Sequence, residues 1–331
     1  MRKCCFVIPY FGKLPNYFQL FLKSCEYNPD FNWLVFTDDM TAYKYPDNVL
    51  RIKMSFEELR QLVQSKFDFT ICLSKPYKLC DYKPAYGYIF EEYLSNYQAW
   101  GHCDVDVVLG HLNDFISDRD LGLYDKMFCL GHMIIYKNTR ENNRVFMSSF
   151  RGSSLYKESF TTDKITVFDE EGISYERNIN QIFLDEGKRV YEVDHSLNIN
   201  NNRLQFRRTV FKGNTEYPNR CGFEAEPYRP SVYLWDKGFL NRYFMYDGKL
   251  IKGNYPYIHL QGRKMTYSDS VLGSPVIQIV PNSFILPKNL NVNISNFSDF
   301  LKHGKTKEFY HALIKEKYEN IKRFLKRKLN G

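Results

Sequence analysis

The sequence predicts an α/β protein with a sheet flanked by helices. The prediction depends on two observations: strand and helix patterns alternate in the first half, and short β-like runs fill much of the second. "CCFVIPY" at residues 4–10 has the continuous apolar character of a buried strand. The loop and apolar-periodic helix of "FGKLPNYFQLFLKSC" follow it. Two more strands are then predicted, "FNWLVFTDD" at 31–39 and "NVLRIKM" at 48–54.

Two helices are predicted before the next strand. Ser55 and Glu58 have capping-box spacing at the start of "SFEELRQLVQSKF", which indicates a helix N-terminus. "KPAYGYIFEEYLSNY" at 83–97 predicts a second helix, with Pro84 acceptable in its first turn. The strand "AWGHCDVDVVLG" at 99–110 then completes the alternation.

The second half is less regular. "KMFCLGHMIIYKN" at 126–138 predicts a strand pair or one long strand, and "ENNRVFMSSF" at 141–150 predicts a helix. "TVFDEEGISYERNINQIFLDEG" at 166–187 predicts a loop followed by a helix. Residues 198–287 contain many short Tyr-rich β-like runs separated by Gly, Pro and Asn. Because no internal repeat or low-complexity linker interrupts the chain, one domain with an elaborated second half is the simplest organisation.

The positive charge is concentrated in the C-terminal tail. The chain of 331 residues has a formal net charge of +8, yet residues 302–331 hold ten Lys or Arg and three Glu. The remaining 36 basic and 35 acidic residues nearly balance, which argues against a basic groove for nucleic acid. Apolar residues in the tail recur on one helical stripe, namely Phe309, Leu313, Ile314, Tyr318, Ile321, Leu325 and Leu329. Such a basic amphipathic helix suits an anionic membrane surface, or it packs on the body with a solvated basic face.

The N-terminal segment is expected to be a strand and not a signal peptide, because the short apolar run breaks at Pro9. No segment approaches the length of a membrane span. The eight cysteines are scattered without a CxxC pair, so we expect reduced thiols and no cysteine-ligated zinc. A cytoplasmic protein, peripheral on the inner face of the cell membrane, is the resulting expectation.

Polar or conformationally special residues follow three of the predicted strands. In open α/β sheets, ligands bind at the carboxyl ends of the strands, so these positions form a candidate nucleotide cleft. The alternative for Asp38 and Asp39 is ordinary turn chemistry. The positions are Pro9, Tyr10, Phe11 and Gly12 after the first strand, Thr37, Asp38 and Asp39 after the second, and Asp104 with Asp106 later.

Asp104 and Asp106 are the strongest chemical signal in the chain. On a strand, residues i and i+2 share a face, so both carboxylates would leave one face while Val105 points into the core. Two like charges so close raise each other's pKa unless a cation lies between them. Either the strand ends there and water solvates both side chains, or the pair holds a hard divalent ion such as Mg²⁺ or Mn²⁺.

"YKLCDYKPAYGYIFEEYLSNYQAWGHCDVDVVLGHL" resembles the donor-site block of bacterial polysaccharide glycosyltransferases with the GT-A fold, of the capsule and O-antigen type. The similar segments cover most of residues 3–265. They include "VIPYFGKLPNYFQLFLKSCEYNPDFNWLVFTDD", "LGHMIIYKN", "VFDEEGIS" and "YIHLQGRKM". The resemblance implies a Rossmann-like sheet that binds a nucleotide sugar, with an elaborated C-terminal half and a terminal amphipathic helix.

The resemblance also implies roles for individual residues on the donor side. Asp104 and Asp106 match the DxD motif that holds the metal against the donor diphosphate. Asp38 matches an acid that contacts the base or ribose. His259 resembles a late histidine that completes the metal shell, although a lone His between Ile258 and Leu260 is as often a core residue. Further donor-binding positions implied are Lys78, Asp81, Lys83 and Arg263.

Inverting transfer needs a base for the acceptor hydroxyl, and a carboxylate in reach of it would serve. "VFDEEGIS" is the densest acidic cluster after the DxD strand, so Asp169 or Glu170 is the candidate base. Part of this cluster could instead cap the following helix. Asp163 and Asp194 are the next candidates. His132 is placed near the cleft, as an acceptor contact or as a structural imidazole.

These expectations define a metal-dependent hexosyltransferase that uses a UDP-sugar and Mn²⁺ or Mg²⁺. The acceptor would be a cell-surface polysaccharide or its lipid-linked precursor, and the outcome would be inverting, with galactose as pyranose or furanose the expected hexose. The predicted domain is 1–290, with a nucleotide-binding half at 1–115, an acceptor half at 116–290 and a basic helical tail at 291–331. The alternatives are a sugar-nucleotidyltransferase, for which "PYFGKLPN" is a poor match, and a non-enzymatic membrane or nucleic-acid adaptor.

Overall fold

The computed structural model describes residues 2–170, 177–198, 204–213 and 221–329. Glu171 and Gly172 of the predicted acidic loop lie outside these ranges. The chain divides into two compact units. Unit 1 consists of Met1–Val107, Leu112–His195 and Thr209–Glu224, and unit 2 consists of Val108–His111, Ser196–Arg208 and Ala225–Gly331. The predicted division at residues 115 and 290 stays a prediction.

The first half of the chain begins with the predicted alternation of strands and helices. Its elements are β1 (Arg2–Pro9), α1 (Phe18–Glu26), β2 (Phe31–Thr37), β3 (Val49–Lys53), α2 (Phe56–Ser65), α3 (Tyr86–Ile89), α4 (Glu91–Leu94), β4 (Tyr97–Cys103) and β5 (Val107–Leu109). They continue with α5 (Asp118–Leu123), β6 (Lys126–Met127), β7 (Met133–Lys137), α6 (Leu155–Phe160), α7 (Ile179–Asp185) and β8 (Val190–Tyr191). Three 3₁₀ helices lie between them, at Pro76–Ala85, Leu112–Asp114 and Asn142–Met147.

The rest of the chain is rich in short strands, as predicted. Its elements are β9 (Leu197–Asn198), β10 (Arg207–Gly213), β11 (Cys221–Ala225), β12 (Ser231–Asp236), β13 (Phe239–Tyr246), β14 (Lys249–Tyr255) and β15 (Tyr257–His259). They end with α8 (Asp269–Gly273), β16 (Val276–Val280), β17 (Ser283–Ile285), α9 (Phe297–His303) and α10 (Lys307–Leu329).

Unit 1 contains a seven-stranded sheet in the order β3-β2-β1-β4-β7-β6-β8. The first four strands in this order are mutually parallel, whereas β7 runs antiparallel to β4 and to β6. The predicted α/β sheet with flanking helices is therefore confirmed, and the segment 126–138 is a strand pair. Because β1, β2 and β4 run the same way, their carboxyl ends lie along one edge.

A hydrophobic core with large aromatic side chains holds this sheet. Trp100 on β4 is fully buried and stacks on Tyr136 of β7, with ring centroids 4.4 Å apart. Its indole N–H donates to the Asn143 side chain at 2.7 Å. Gly87 lies so close to this ring that a Cβ there would be 2.2 Å from it, so only glycine fits beneath the tryptophan.

Two predicted helices differ from the structure. Residues 83–97 do not form one helix: Pro84 lies in the 3₁₀ helix, and α3 and α4 are single turns separated at Phe90, whose φ and ψ are −106° and 24°. Residues 141–150 contain a 3₁₀ helix instead of the predicted α-helix. In contrast, the predicted capping box of α2 is confirmed, because Ser55 Oγ accepts from the Glu58 amide at 3.2 Å.

Unit 2 contains an antiparallel sheet in the order β14-β13-β12-β16-β17. Helix α9 packs on it through Phe297 and Phe300, which contact Val232 and Leu234. In a further sheet, β9 pairs in parallel with β15, and β5 is the next strand beyond β15. No helix in the described part of the chain has the length and apolar character that spanning a membrane requires.

Candidate active site

Backbone amides of the loop after β1 donate hydrogen bonds to β2 and to the acids that follow it. The Tyr10 amide donates to the Phe36 carbonyl at 2.9 Å, and the Gly12 amide donates to Asp38 Oδ1 at 2.7 Å. Gly12 has a φ of +88°, a conformation that favours glycine. The Asp38 side chain is exposed, and its predicted contact with a base or ribose stays a prediction.

Asp39 shapes the same loop. Its carboxylate accepts from the Leu14 amide at 2.9 Å, and from the amide and hydroxyl of Thr41 at 2.9 and 2.6 Å. Burial alone would raise the pKa of Asp39, but the hydrogen bonds from Thr41 and Leu14 lower it. Asp39 therefore acts as an ordinary turn aspartate, one of the alternatives stated above for Asp38 and Asp39. Asp38 accepts a hydrogen bond within the loop, from Gly12.

The DxD motif lies in a turn and not on a strand. Strand β4 ends at Cys103 and β5 begins at Val107, so Asp104 and Asp106 belong to the connection between them. The single strand predicted for 99–110 was wrong for this reason, whereas the alternative that the strand ends at the two acids agrees with the structure. Val105 is buried, as predicted, and the two carboxylates are half-exposed. The turn presents two oxygen ligands to solvent at the carboxyl end of a parallel strand.

Lys83 contacts two of the predicted site acids, Asp104 and Asp169. Its Nζ is 2.8 Å from Asp104 Oδ1, 2.8 Å from the Gly131 carbonyl oxygen and 3.5 Å from Asp169 Oδ2. Burial alone would lower the pKa of Lys83, but the carboxylates of Asp104 and Asp169 outweigh it and raise this pKa well above its usual range. Lys83 is therefore an ammonium ion shared between one acid of the DxD motif and one acid of the predicted base cluster.

Asp169 and Glu170 have different surroundings. Asp169 is 4% exposed, and burial raises its pKa to about 7, with Lys83 opposing and Glu170 adding to the rise. Glu170 Oε2 accepts the Gly131 amide at 2.8 Å. A Cβ on Gly131 would lie 2.6 Å from Asp169 Oδ2 and 2.9 Å from Glu170 Oε2. Close packing on a glycine thus holds both carboxylates in place.

Lys78 and Asp81 are completely buried and paired with each other at 2.7 Å. Lys78 Nζ also donates to the Lys164 carbonyl at 2.6 Å. The Asp81 carboxylate accepts the amides of Thr166 and Phe168, at 3.0 and 3.1 Å. The pair fixes the segment that leads into Asp169. The side-chain contacts that the structure shows for Lys78 and Asp81 are with each other and with residues 164–168. Their predicted role in binding a sugar donor stays a prediction.

The remaining predicted residues are distributed over both units. In unit 1, Pro9 ends β1, Phe11 is buried against Phe56, and the buried His132 accepts the Asp104 amide at its carbonyl oxygen, 3.0 Å away. Asp163 is exposed and Asp194 is buried.

In unit 2, His259 is the last residue of β15, whose neighbour in the sheet is β5. The DxD turn immediately precedes β5 in the chain. The Arg263 guanidinium donates to the Leu260 carbonyl at 3.1 Å and to the Asn282 side chain at 2.9 Å.

Three residues of the cluster were missed from the sequence. Gly131 was overlooked because it contacts Lys83 through its backbone carbonyl oxygen, and the two residues are 48 positions apart in the sequence. Tyr77 is 73% exposed, and burial of part of its side chain raises its pKa, with the charges of Lys83 and Asp169 acting in opposite directions on it. His102 on β4 is buried, and burial lowers its pKa well below the usual range, with Lys83 adding to this shift. Of these three residues, only Tyr77 could have been noticed in the sequence, as the aromatic residue of the polar segment "SKPYK".

Comparison with known proteins gives a family match over most of the chain. The sequence profile described as "Family of unknown function (DUF6625)" matches residues 6–289. The chain belongs to this family. All the residues of the cluster around Lys83 fall within the matched range of the DUF6625 domain. A search of curated proteins finds no match to this DUF6625 chain.

Two solved structures are similar in part to this DUF6625 protein. One is the galactosyltransferase LgtC in complex with donor and acceptor sugar analogues. It has 11% sequence identity and a TM-score of 0.33, and the alignment covers 59% of this chain and 75% of LgtC. The other is an active-site mutant of LgtC. It also has 11% identity, with a TM-score of 0.35 and coverage of 68% of this chain and 89% of LgtC.

Proposed function

We propose that this DUF6625 protein is a metal-dependent glycosyltransferase of the GT-A type. It would transfer a hexose from a UDP-sugar to a polysaccharide or a lipid-linked precursor. The observation that carries the proposal is the turn of Asp104 and Asp106 at the carboxyl end of a parallel strand, with Lys83 linking it to the buried Asp169. A nucleotide-sugar transferase needs cations at the diphosphate and a separate group that takes the acceptor proton, and this cluster offers both.

Asp104 and Asp106 are the proposed metal ligands, and His259 stays the predicted third ligand. Two carboxylates and an imidazole suit Mn²⁺ or Mg²⁺ better than a thiophilic metal. The bound ion would neutralise the charge that develops on the leaving diphosphate. Lys83 orients Asp104 through its 2.8 Å contact and adds a second positive charge on the same side.

Asp169 is the proposed base. A general base works best when its pKa is near the operating pH, and burial raises the pKa of Asp169 to about 7. Its carboxylate would accept the proton of the acceptor hydroxyl as the hydroxyl oxygen attacks the anomeric carbon. Glu170 is committed to the Gly131 amide, so it positions the loop and leaves proton transfer to its neighbour. Transfer by this route inverts the anomeric configuration.

The donor side of the cleft would be formed by the loops after β1 and β2. Tyr10 is half-buried, and burial raises its pKa, with the charge of Asp106 contributing. Tyr10 therefore lies near the DxD turn, where its ring can contact the nucleotide. Asp38 would supply an exposed carboxylate, and Pro9, Phe11 and Arg263 stay predicted donor contacts. His132 stays a predicted acceptor contact.

The proposed site of action is the inner membrane surface, reached through α10. Four apolar side chains of the stripe face solvent: Ile314 is 66% exposed, Tyr318 66%, Ile321 59% and Leu325 52%. Exposed apolar rows of this size mark interaction surfaces. Because residues 302–331 hold ten basic and three acidic residues, an anionic lipid surface is the complementary partner.

Titration calorimetry with UDP and Mn²⁺ tests the proposal. Asp104→Ala and Asp106→Ala should each abolish Mn²⁺-dependent UDP binding without unfolding the protein. Asp47→Ala removes an exposed turn carboxylate elsewhere in unit 1 and should bind UDP normally. Unchanged UDP and Mn²⁺ affinity in both DxD variants would overturn the proposal. A nucleotidyltransferase would instead consume a nucleoside triphosphate, and product analysis would reveal it.

A further inference from the structure

We propose that unit 2 carries a second binding site, which takes a neutral sugar ring of a glycan in a cleft at the start of α10. The cleft has a volume of about 390 Å³ and lies among β17, the end of α9 and the first turn of α10. Small-molecule sites typically measure about 300–1,000 Å³. The sugar-binding assignment follows from the chemistry of the walls.

A chain of hydroxyl groups lines one wall. Ser283 Oγ is 2.9 Å from Thr266 Oγ1 and 3.2 Å from Thr306 Oγ1. Ser283 is 2% exposed, whereas Thr266 is exposed and Thr306 half-buried, so the chain runs from the floor to the rim. A hydroxyl can both donate and accept, so this wall can match the mixed donors and acceptors of sugar hydroxyls.

Glu308 adds one carboxylate to this wall, with Oε2 3.4 Å from Ser283 Oγ. A hydrogen bond from its own backbone amide, together with those from Thr306 and Ser283, lowers the pKa of Glu308. No lysine or arginine is among the ten lining residues, and the one lining histidine, His303, has its Nε2 2.9 Å from the Leu286 carbonyl oxygen. The ionised Glu308 carboxylate repels phosphate and carboxylate ligands, so the occupant is a neutral group with several hydroxyls.

The aromatic ring of Tyr267 also lines the cleft. Tyr267 is half-buried and meets the buried Phe284 edge to face, with ring centroids 6.3 Å apart and planes at 69°. This contact fixes the tyrosine ring. The apolar face of a sugar ring packs on such a ring while its hydroxyls reach the polar wall. An ammonium ligand would use Glu308 and the Tyr267 ring, whereas a sugar ring also matches the mixed donors and acceptors of the hydroxyl wall.

Identifying this sugar as part of the acceptor glycan rests on the proposed function, but sugar binding itself does not. The cleft adjoins α10 in the chain, and α10 carries the exposed apolar stripe described above. A glycan attached to a lipid and a free oligosaccharide present the same neutral ring. Both are therefore included in the test.

The test is saturation-transfer NMR on the full chain with methyl galactoside, methyl glucoside and lactose as probes. At least one probe should bind, and Glu308→Gln or Tyr267→Ala should weaken it about three- to tenfold, the effect of one hydrogen bond or one packing contact. Glu316→Gln on α10 and the exposed Tyr246→Ala are matched controls and should bind like the unaltered chain. Binding should also persist in Asp106→Asn, which separates this site from the proposed donor site.

Vesicles of neutral lipid with and without a galactolipid separate the two sources. Stronger co-sedimentation with the galactolipid supports a lipid-linked sugar, and binding of soluble lactose alone supports a free glycan. Three results would each overturn the proposal. The first is displacement of the sugar by inorganic phosphate or ethanolamine, and the second is binding by the Tyr267→Ala and Glu308→Gln variants equal to that of the unaltered chain. The third is loss of binding in Asp106→Asn alone.

Discussion

Replacing Asp169 by Asn tests the proposed base through protein stability as well as through catalysis. The side chains have nearly the same shape, but Asn cannot ionise. In the folded chain Asp169 is buried, and burial raises its pKa to about 7 from the ordinary 3.8. The unfolded chain therefore loses this proton at a lower pH than the folded chain does.

The sign of the effect follows from linkage. The contribution of Asp169 to the free energy of unfolding is fully present below its unfolded pKa and is lost as the pH rises through the folded value. A rise from 3.8 to about 7 corresponds to at most about 4 kcal/mol. Asp169→Asn should thus match the unaltered protein in acid and become more stable than it above neutrality.

Urea unfolding from about pH 3 to about pH 8, with a chelator present, measures this difference, because the window then extends below the unfolded pKa of both aspartates. Asp163→Asn is the control of opposite sign. Hydrogen bonds from Ser74 and Cys72 lower the pKa of Asp163, so its carboxylate stabilises the fold above the unfolded pKa, and this stabilisation is lost as the pH falls. The Asp163 variant should therefore be the less stable protein at neutral pH and approach the unaltered one in acid.

The same Asp169 variant should lower the transfer rate by at least about 10²-fold while donor affinity changes little, because the base acts only in the transition state. A gain in stability together with a loss of rate is expected of a buried catalytic acid or base. Parallel stability curves for Asp169→Asn and the unaltered protein would refute the reasoning about its ionisation. A normal transfer rate would place the base elsewhere.

Three further predictions concern packing, a buried ion pair and the tail. Gly131→Ala should destabilise the protein by about 1–3 kcal/mol and slow transfer, because the new Cβ would clash with the carboxylates of Asp169 and Glu170. Urea unfolding measures the first effect and a rate assay the second. Unchanged stability and rate would contradict the geometry. Lys78→Met should destabilise by about 3–5 kcal/mol, since Asp81 would stay buried without its cation, whereas the exposed Lys75→Met should have little effect on the urea midpoint. Deleting residues 305–331 should release the protein from anionic vesicles and spare donor hydrolysis; equal co-sedimentation at low salt would show that the stripe is structural.

Local patterns in the sequence predicted the elements that local chemistry determines. The strands at 4–10, 31–39 and 48–54 and the capping box of Ser55 correspond to β1, β2, β3 and the start of α2. The helix predicted at 83–97 was wrong because tertiary packing overrides periodicity there: Gly87 is pinned under Trp100, which leaves only short helical turns.

The candidate site was only partly predictable for a related reason. The type and spacing of Asp104 and Asp106 indicated a cation site, but their position in a turn depends on where β4 ends. The Lys83 contacts join residues 21, 48 and 86 positions away, and one of them is a backbone carbonyl with no side-chain signature. Periodicity carries no information about such long-range partners.

The contact between Lys83 and Asp104 has a consequence for metal exchange. Asp104 already has a cation within the chain, so a divalent ion at the proposed site would compete with an ammonium group for the same carboxylate. This competition would weaken the affinity of the protein for the metal. When the ion departs, Lys83 would still balance the charge of Asp104. We therefore expect weak retention of the ion by the protein alone and much stronger retention with a nucleotide diphosphate, so that metal and nucleotide enter and leave as one complex in each turnover.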